Sequence, residues 1–275
     1  MNKYKIVFVD IDDTLNVRNK PVSENTKNVM SRIKDKNIFV VINTGRSMKY
    51  AIERSKMANL SKYVVSSNGS EVYDYQNDKI IFSSIIPKET VKKIYEYCQS
   101  VGVIMLINSF NEKFSNTQLP DNYGDGGVYF ENIDEVLEKH PITQIVLVSD
   151  NYDRMIVIPN LFKEKYPEIK FSYSSRSLLD NKRIKKEHYT HNITANNVSK
   201  GTGIAELLDY LNISSDDAIA IGDDYVDSTM FDMVKTKIAV ADGFNELKEQ
   251  ADIICPSAKE DGVAKILEKL LLENE

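Results

Sequence analysis

Lys5-Ile6-Val7-Phe8-Val9-Asp10-Ile11-Asp12-Asp13-Thr14-Leu15 is the stretch on which the reading of this chain turns. Ile6 to Val9 form a continuous apolar run rich in β-branched residues, the pattern of a strand buried on both faces of a parallel sheet. The run stops at Asp10, Asp12 and Asp13. Carboxylates crowded at the mouth of a buried strand repel one another and are costly to desolvate. A fold accepts that cost where a cation sits, and in open parallel sheets ligands bind at the carboxyl ends of the strands. The stretch therefore predicts a magnesium-dependent site at the tip of the first strand.

Two plainer readings compete. Aspartates after a strand often serve as turn formers or caps for the next helix. Asp10, Asp12 and Thr14 also fall at the spacing of a calcium-binding loop. That reading fails, because Leu15 stands at the turn-glycine position and Pro21 at the bidentate-glutamate position.

Working outward, Ser23 is expected to cap a helix reaching Lys36, with Val29, Met30 and Ile33 on its buried face. Ile38 to Ile42 read as a second buried strand ending in Asn43-Thr44-Gly45-Arg46-Ser47, with a helix from about Met48. Tyr63 to Ser66 read as a third, ending in Ser67-Asn68-Gly69. Such β-α units predict a doubly wound, Rossmann-like α/β core.

The pattern then changes. Glu71–Tyr75 and Lys79–Phe82 read as a hairpin around Asn77-Asp78. Pro87 opens a helix, Val103–Ile107, Gln144–Val148 and Ile169–Ser174 read as strands, and Asn116–Gly127 as a loop. Asn151–Lys165 reads as a helix that Pro159 breaks or ends. Ser175–Lys186 carries no assignable pattern. The expected organisation is a discontinuous core of residues 1–82 and 192–275, with an inserted α+β cap of residues 83–191. The α/β pattern resumes with Lys200-Gly201-Thr202-Gly203 preceding a helix that carries Ile204, Leu207, Leu208 and Leu211 on one face, a strand Asp217–Ile221 running into Gly222-Asp223-Asp224-Tyr225-Val226-Asp227, strands at Lys237–Val240 and Ile253-Ile254, and a closing helix Gly262–Leu272.

The chain of 275 residues has 28% charged and 42% hydrophobic residues, ordinary for a globular protein. Its net charge of −6 and pI near 5.3 argue against a general nucleic-acid binder. The two cysteines, Cys98 and Cys255, form no disulfide framework or CxxC pair. No apolar stretch approaches the roughly 20 residues that span a bilayer, and the N-terminus has no signal-peptide core. A cytoplasmic protein without membrane or nucleic-acid partners, monomeric or weakly dimeric, is expected. His188 and His191 are taken as surface or hinge residues, because with His140 as the only other histidine a zinc site is not expected.

Asp10/Asp12, Thr44, Lys200 and Asp223/Asp227 each fall at a strand end or helix start. Singly, each has an ordinary structural role; Lys200 alone reads as an exposed lysine at a helix start. In this order they supply what phosphoryl transfer needs: a nucleophile, an acid/base, a metal, a hydroxyl and a cation. On DIDDT (Asp10–Thr14), NTGRS (Asn43–Ser47), VSKGTGI (Val198–Ile204) and GDDYVD (Gly222–Asp227), the chain resembles the haloacid dehalogenase-like superfamily and its Cof-type sugar-phosphatase-like group. Ser67-Asn68-Gly69 and Glu260–Ala264 also resemble that group.

The resemblance implies Asp10 as nucleophile forming an aspartyl-phosphate and Asp12 as general acid/base. It implies magnesium held by Asp10, Asp223 and the backbone of Asp12. Thr44, Gly45 and Lys200 would bind the phosphoryl group, supported by Asp224, Asp227 and Asn68. The expected reaction is hydrolysis of a small phosphorylated metabolite, such as a sugar phosphate. A phosphomutase and a catalytically weak phosphometabolite-binding protein are the alternatives. The chain departs from the group's pattern in two places: Val226 replaces an asparagine, and Ala241-Asp242 replaces a Gly-Asn pair that helps bind phosphate, where an aspartate would repel it.

Overall fold

A computed structural model of the chain describes residues 3–110, 112–120, 126–172 and 188–273. Two sheets organise it. The larger runs β14-β13-β12-β1-β2-β3-β4-β5. Its strands are β1 (Ile6–Val9), β2 (Phe39–Asn43), β3 (Tyr63–Ser66), β4 (Glu71–Asp74), β5 (Lys79–Ser83), β12 (Ala218–Gly222), β13 (Thr236–Val240) and β14 (Ile253–Cys255). The strands from β14 to β3 are parallel, and β4 and β5 add an antiparallel hairpin at the edge. Alternation along β1 splits its side chains between two layers. Val7 and Val9 pack under α1 (Glu24–Asp35), α2 (Met48–Met57) and α9 (Gly262–Leu271). Ile6 and Phe8 pack with α6 (Lys200–Leu211), α7 (Ser228–Phe231) and α8 (Asn245–Lys248) on the other face. The doubly wound α/β core is thus present. Ser23 caps α1 by accepting from the Thr26 N–H at 3.0 Å.

The smaller sheet runs β10-β11-β9-β6-β7-β8. It contains β6 (Ile104–Ser109), β7 (Glu112–Ser115), β8 (Val128–Tyr129), β9 (Gln144–Ser149), β10 (Ile169–Ser172) and β11 (Tyr189–Ala195). One face packs on α3 (Lys88–Val101), α4 (Ile133–Lys139) and α5 (Tyr152–Lys163) through Met105, Ile107, Ile145, Leu147 and Ile193. The alternate residues Leu106, Asn108, Val146, Val148, Thr190 and Asn192 line a cavity that the larger sheet's strand tips also line. Two-residue periodicity therefore assigns one face to the core and the other to the site.

Three expectations are corrected. Residue 191 falls inside β11, which pairs with β9 and β10 as far as Ala195, so the smaller sheet extends past the expected boundary. Pro159 neither breaks nor ends α5, which continues to Lys163. A proline at 159 has no N–H to give the Met155 carbonyl. His191 Nε2 approaches that carbonyl at 2.7 Å and, since a carbonyl only accepts, must donate to it. His191 is accordingly buried, not a surface residue. The unassigned Ser175–Lys186 and parts of Asn116–Gly127 and Ile169–Ser174 lie outside the described residues.

Candidate active site

Parallel pairing of β1 with β2 and β12 brings the ends of these strands together. Asp10 follows β1, Thr44 follows β2 and Asp223 follows β12. Asp10, Asp12, Thr44, Gly45, Asn68, Lys200, Asp223, Asp224 and Asp227 all line one cavity of about 410 Å³.

Lys200 is the first residue of α6, and the helix start is fixed by reciprocal capping between Ser199 and Thr202. The expectation of an exposed lysine is wrong: Lys200 is only 4% exposed. Its Nζ donates at 2.6 Å to Asp10 Oδ1 and at 2.6 Å to Asp227 Oδ1. Asn43 Nδ2 holds the Lys200 carbonyl at 2.9 Å, tying the helix start to the end of β2. Gly69 permits this approach. Its φ is +91°, and a Cβ there would lie 1.9 Å from the Ser199 carbonyl oxygen.

Asp227 Oδ2 accepts the Asp223 and Asp224 N–H groups, each at 3.0 Å, so one carboxylate ties the loop after β12 to Lys200. Thr14 Oγ1 donates to Asp223 Oδ1 at 2.7 Å. The Arg46 N–H donates to Thr44 Oγ1 at 3.2 Å, and the Asn68 N–H to the Thr44 carbonyl at 3.1 Å. Arg46 Nε donates to Asp12 Oδ2 at 2.8 Å, while Asp12 Oδ1 is buried without a hydrogen-bond partner among the described residues. NTGRS contains Arg46, but nothing local to that motif marks its reach to Asp12, 34 positions away.

Asp10, Asp223 and Asp227 place carboxylate oxygens within 4.8 Å of one another. The Asp12 carboxylate lies outside this cluster, so Asp227 is its third member. Burial raises the Asp10 carboxyl to about 7, with Asp227 adding to the rise and Lys200 opposing it. Burial, then Asp10 and Asp227, raise Asp223 to about 8. For Lys200, burial acts downward, but Asp10 and Asp227 outweigh it and hold the ammonium protonated. Among the described residues, Lys200 is thus the ammonium bonded to two of the three clustered carboxylates. This hard-oxygen, net-negative set fits magnesium, which takes few carboxylates and completes its shell with water and substrate phosphate. Of the two departures, Val226 lines the cavity, whereas Asp242 is exposed and lies outside the lining, so the expected repulsion has no direct path.

The haloacid dehalogenase-like hydrolase family model matches residues 7–267, and the chain belongs to that family. It is 26% identical over 275 residues to a 5-amino-6-(5-phospho-D-ribitylamino)uracil phosphatase of Bacillus subtilis (strain 168), covering 96% of each chain. It is 25% identical to a phosphoglycolate phosphatase of Methanosarcina acetivorans, covering 98% of this chain and 97% of the relative. The fold is also that of a haloacid dehalogenase-like hydrolase from Bacteroides thetaiotaomicron, with a TM-score of 0.82, 20% identity and coverage of 97% and 99%. No helix among the described residues is long and apolar enough to cross a membrane.

Proposed function

We propose that this chain is a magnesium-dependent phosphatase that hydrolyses a small phosphorylated metabolite through an aspartyl-phosphate on Asp10. The observation that carries this reading is the Lys200 bridge between Asp10 and Asp227 inside the cavity that also holds Thr44 and Asp12. Relatives named for a phosphorylated ribityl compound and for phosphoglycolate support a phosphomonoester substrate.

In this reading an Asp10 oxygen attacks phosphorus while the bond from phosphorus to the leaving oxygen breaks. Asp12 gives that oxygen its proton. Arg46 holds one Asp12 oxygen and leaves the other to carry the proton. The Asp12 carboxylate then takes a proton from the water that attacks the phosphoryl group, releasing phosphate and restoring Asp10. Thr44 Oγ1, the Gly45 backbone and the third N–H of Lys200 hold the phosphoryl oxygens, with the start of α6 adding its dipole. Asp10, Asp223 and Asp227, with the Asp12 carbonyl, would hold magnesium, which when bound neutralises charge on the phosphoryl oxygens. The smaller sheet acts as a cap on the larger.

Asp10→Asn is expected to abolish both steps. Asp12→Asn is expected to slow both and to accumulate phosphoenzyme from an aryl phosphate. Acid quench of Asp12→Asn during turnover of the aryl phosphate, followed by borohydride reduction and mass analysis of the peptide around Asp10, tests the route. Conversion of Asp10 to homoserine supports it, because borohydride reduces an acyl phosphate and not a free carboxylate; an unmodified Asp10 peptide with no burst of aryl alcohol means direct attack by water on the substrate and overturns it.

A further inference from the structure

Glu71 opens β4 and is wholly buried, yet the reaction above gives it no part. Its Oε2 accepts Ser66 Oγ at 2.6 Å and Ser67 Oγ at 3.0 Å, both from the larger sheet's side. Its Oε1 accepts Thr143 Oγ1 at 2.7 Å and the Phe110 N–H at 2.8 Å, both from the smaller sheet's side. Burial raises this carboxyl above the usual carboxylate range, and its four donors offset part of the rise. The group sits at the junction of the two sheets.

A carboxylate only accepts, so the single Ser67 hydroxyl proton is committed to Glu71. Ser67 Oγ then meets the next residue as an acceptor, and Asn108 Nδ2 donates to it at 3.3 Å. The same Nδ2 donates to Gln144 Oε1 at 2.8 Å. Gln144 Nε2 in turn donates to Asn192 Oδ1 at 3.3 Å. Each bond takes its direction from the one before it. Asn108 and Asn192 line the cavity. Asn108 is 2% exposed, both its bonds leave from Nδ2, and its Oδ1 has no partner among the described residues. A buried acceptor left unpaired costs free energy until a donor reaches it.

We propose that Glu71 is a positioning residue that sets the direction of this hydrogen-bond chain, so that Asn108 Oδ1 selects a leaving group bearing a hydroxyl or amine donor. The selection rests on the phosphatase reading and gives it a substrate class, polyol-like or amino-bearing phosphomonoesters. Glu71→Gln tests the direction. The Phe110 N–H cannot reverse, so the new amide oxygen stays toward it and the new NH₂ falls on Ser67. The Ser67 proton then turns to Asn108, whose amide turns over and shows N–H to the cavity. Adding Asn108→Asp restores an acceptor on either side.

The probes are p-nitrophenyl phosphate, ribitol 5-phosphate and pentyl phosphate, with the full chain in magnesium. Turnover of p-nitrophenyl phosphate reads the phosphatase; its absence overturns that reading. The ratio of kcat/KM for ribitol 5-phosphate over pentyl phosphate reads the acceptor, and within one variant it is independent of the folded fraction. We expect the natural sequence to favour ribitol 5-phosphate by about tenfold or more, mainly through KM. Glu71→Gln and Asn108→Leu should each bring the ratio below about threefold. The Glu71→Gln/Asn108→Asp pair should recover it. A ratio near unity in the natural sequence, with p-nitrophenyl phosphate still hydrolysed, overturns the acceptor. An undiminished ratio in Glu71→Gln, or a paired variant no better than Glu71→Gln, overturns the role of Glu71.

Discussion

Lys200 puts a positive charge at the first position of a helix, where the dipole disfavours it. It is buried there, and Asp10 and Asp227 compensate it at 2.6 Å each. Removing one partner of a buried ion pair leaves uncompensated charge. Lys200→Ala should therefore cost about 3 kcal/mol in metal-free solution, with part recovered in magnesium. Urea unfolding in chelator and in magnesium checks both; an unchanged midpoint would mean that the lysine is structurally idle. The carboxylates beside it predict a pH dependence. Asp10 and Asp223 rise in the folded chain from 3.8 to about 7 and about 8. Folding thus binds protons between these limits. Their contribution to stability is complete below about 4 and is lost as pH rises through about 7 to 8. In chelator the urea midpoint should fall from about pH 5 to about pH 8, and Asp223→Asn should flatten the fall. A rise over that interval would contradict the assigned shifts.

At the scale of elements, α5 tolerates a proline because another strand supplies the missing donor. His191 on β11 reaches the Met155 carbonyl that residue 159 cannot serve. His191→Leu should leave that carbonyl without its donor and cost about 1–3 kcal/mol. Pro159→Ala returns an N–H to the helix, so the cost of His191→Leu in that background should be smaller by about 1 kcal/mol. A double-mutant cycle in urea measures the difference; equal costs in both backgrounds would break the link. Elsewhere, the element boundaries follow local rules. Ser23 and Ser199 cap the helices they precede, and Gly102, at φ +66°, ends α3 in the left-handed conformation.

Across the whole molecule, the two sheets have separate hydrophobic cores. The clusters around β1 and the cluster under α3, α4 and α5 share no residue. The strand tips of the larger sheet carry the carboxylates and Lys200, while the smaller sheet lines the cavity with Asn108, Thr190 and Asn192. Replacing residues 86–196 by a short flexible linker should leave p-nitrophenyl phosphate turnover but erase the ranking of larger phosphomonoesters. A truncated chain that keeps the parent's ranking would show that the smaller sheet does not choose the substrate.

Local signals in the chain are enough to specify the doubly wound core and to single out its candidate site residues. A β-branched run ending in aspartates, a capped helix start and a glycine after a strand are written within a few residues of one another. Family membership followed from the order of those motifs. The burial of Lys200 between Asp10 and Asp227, 190 and 27 positions away, arises from the packed fold. The fold likewise brings Arg46 to Asp12, His191 to the open carbonyl of α5, and Asn108 to Ser67 across 41 positions. These are contacts between residues distant in sequence. A side chain's burial and the direction of its hydrogen bonds depend on which partners the fold brings to it, and hydrophobic periodicity carries no record of them.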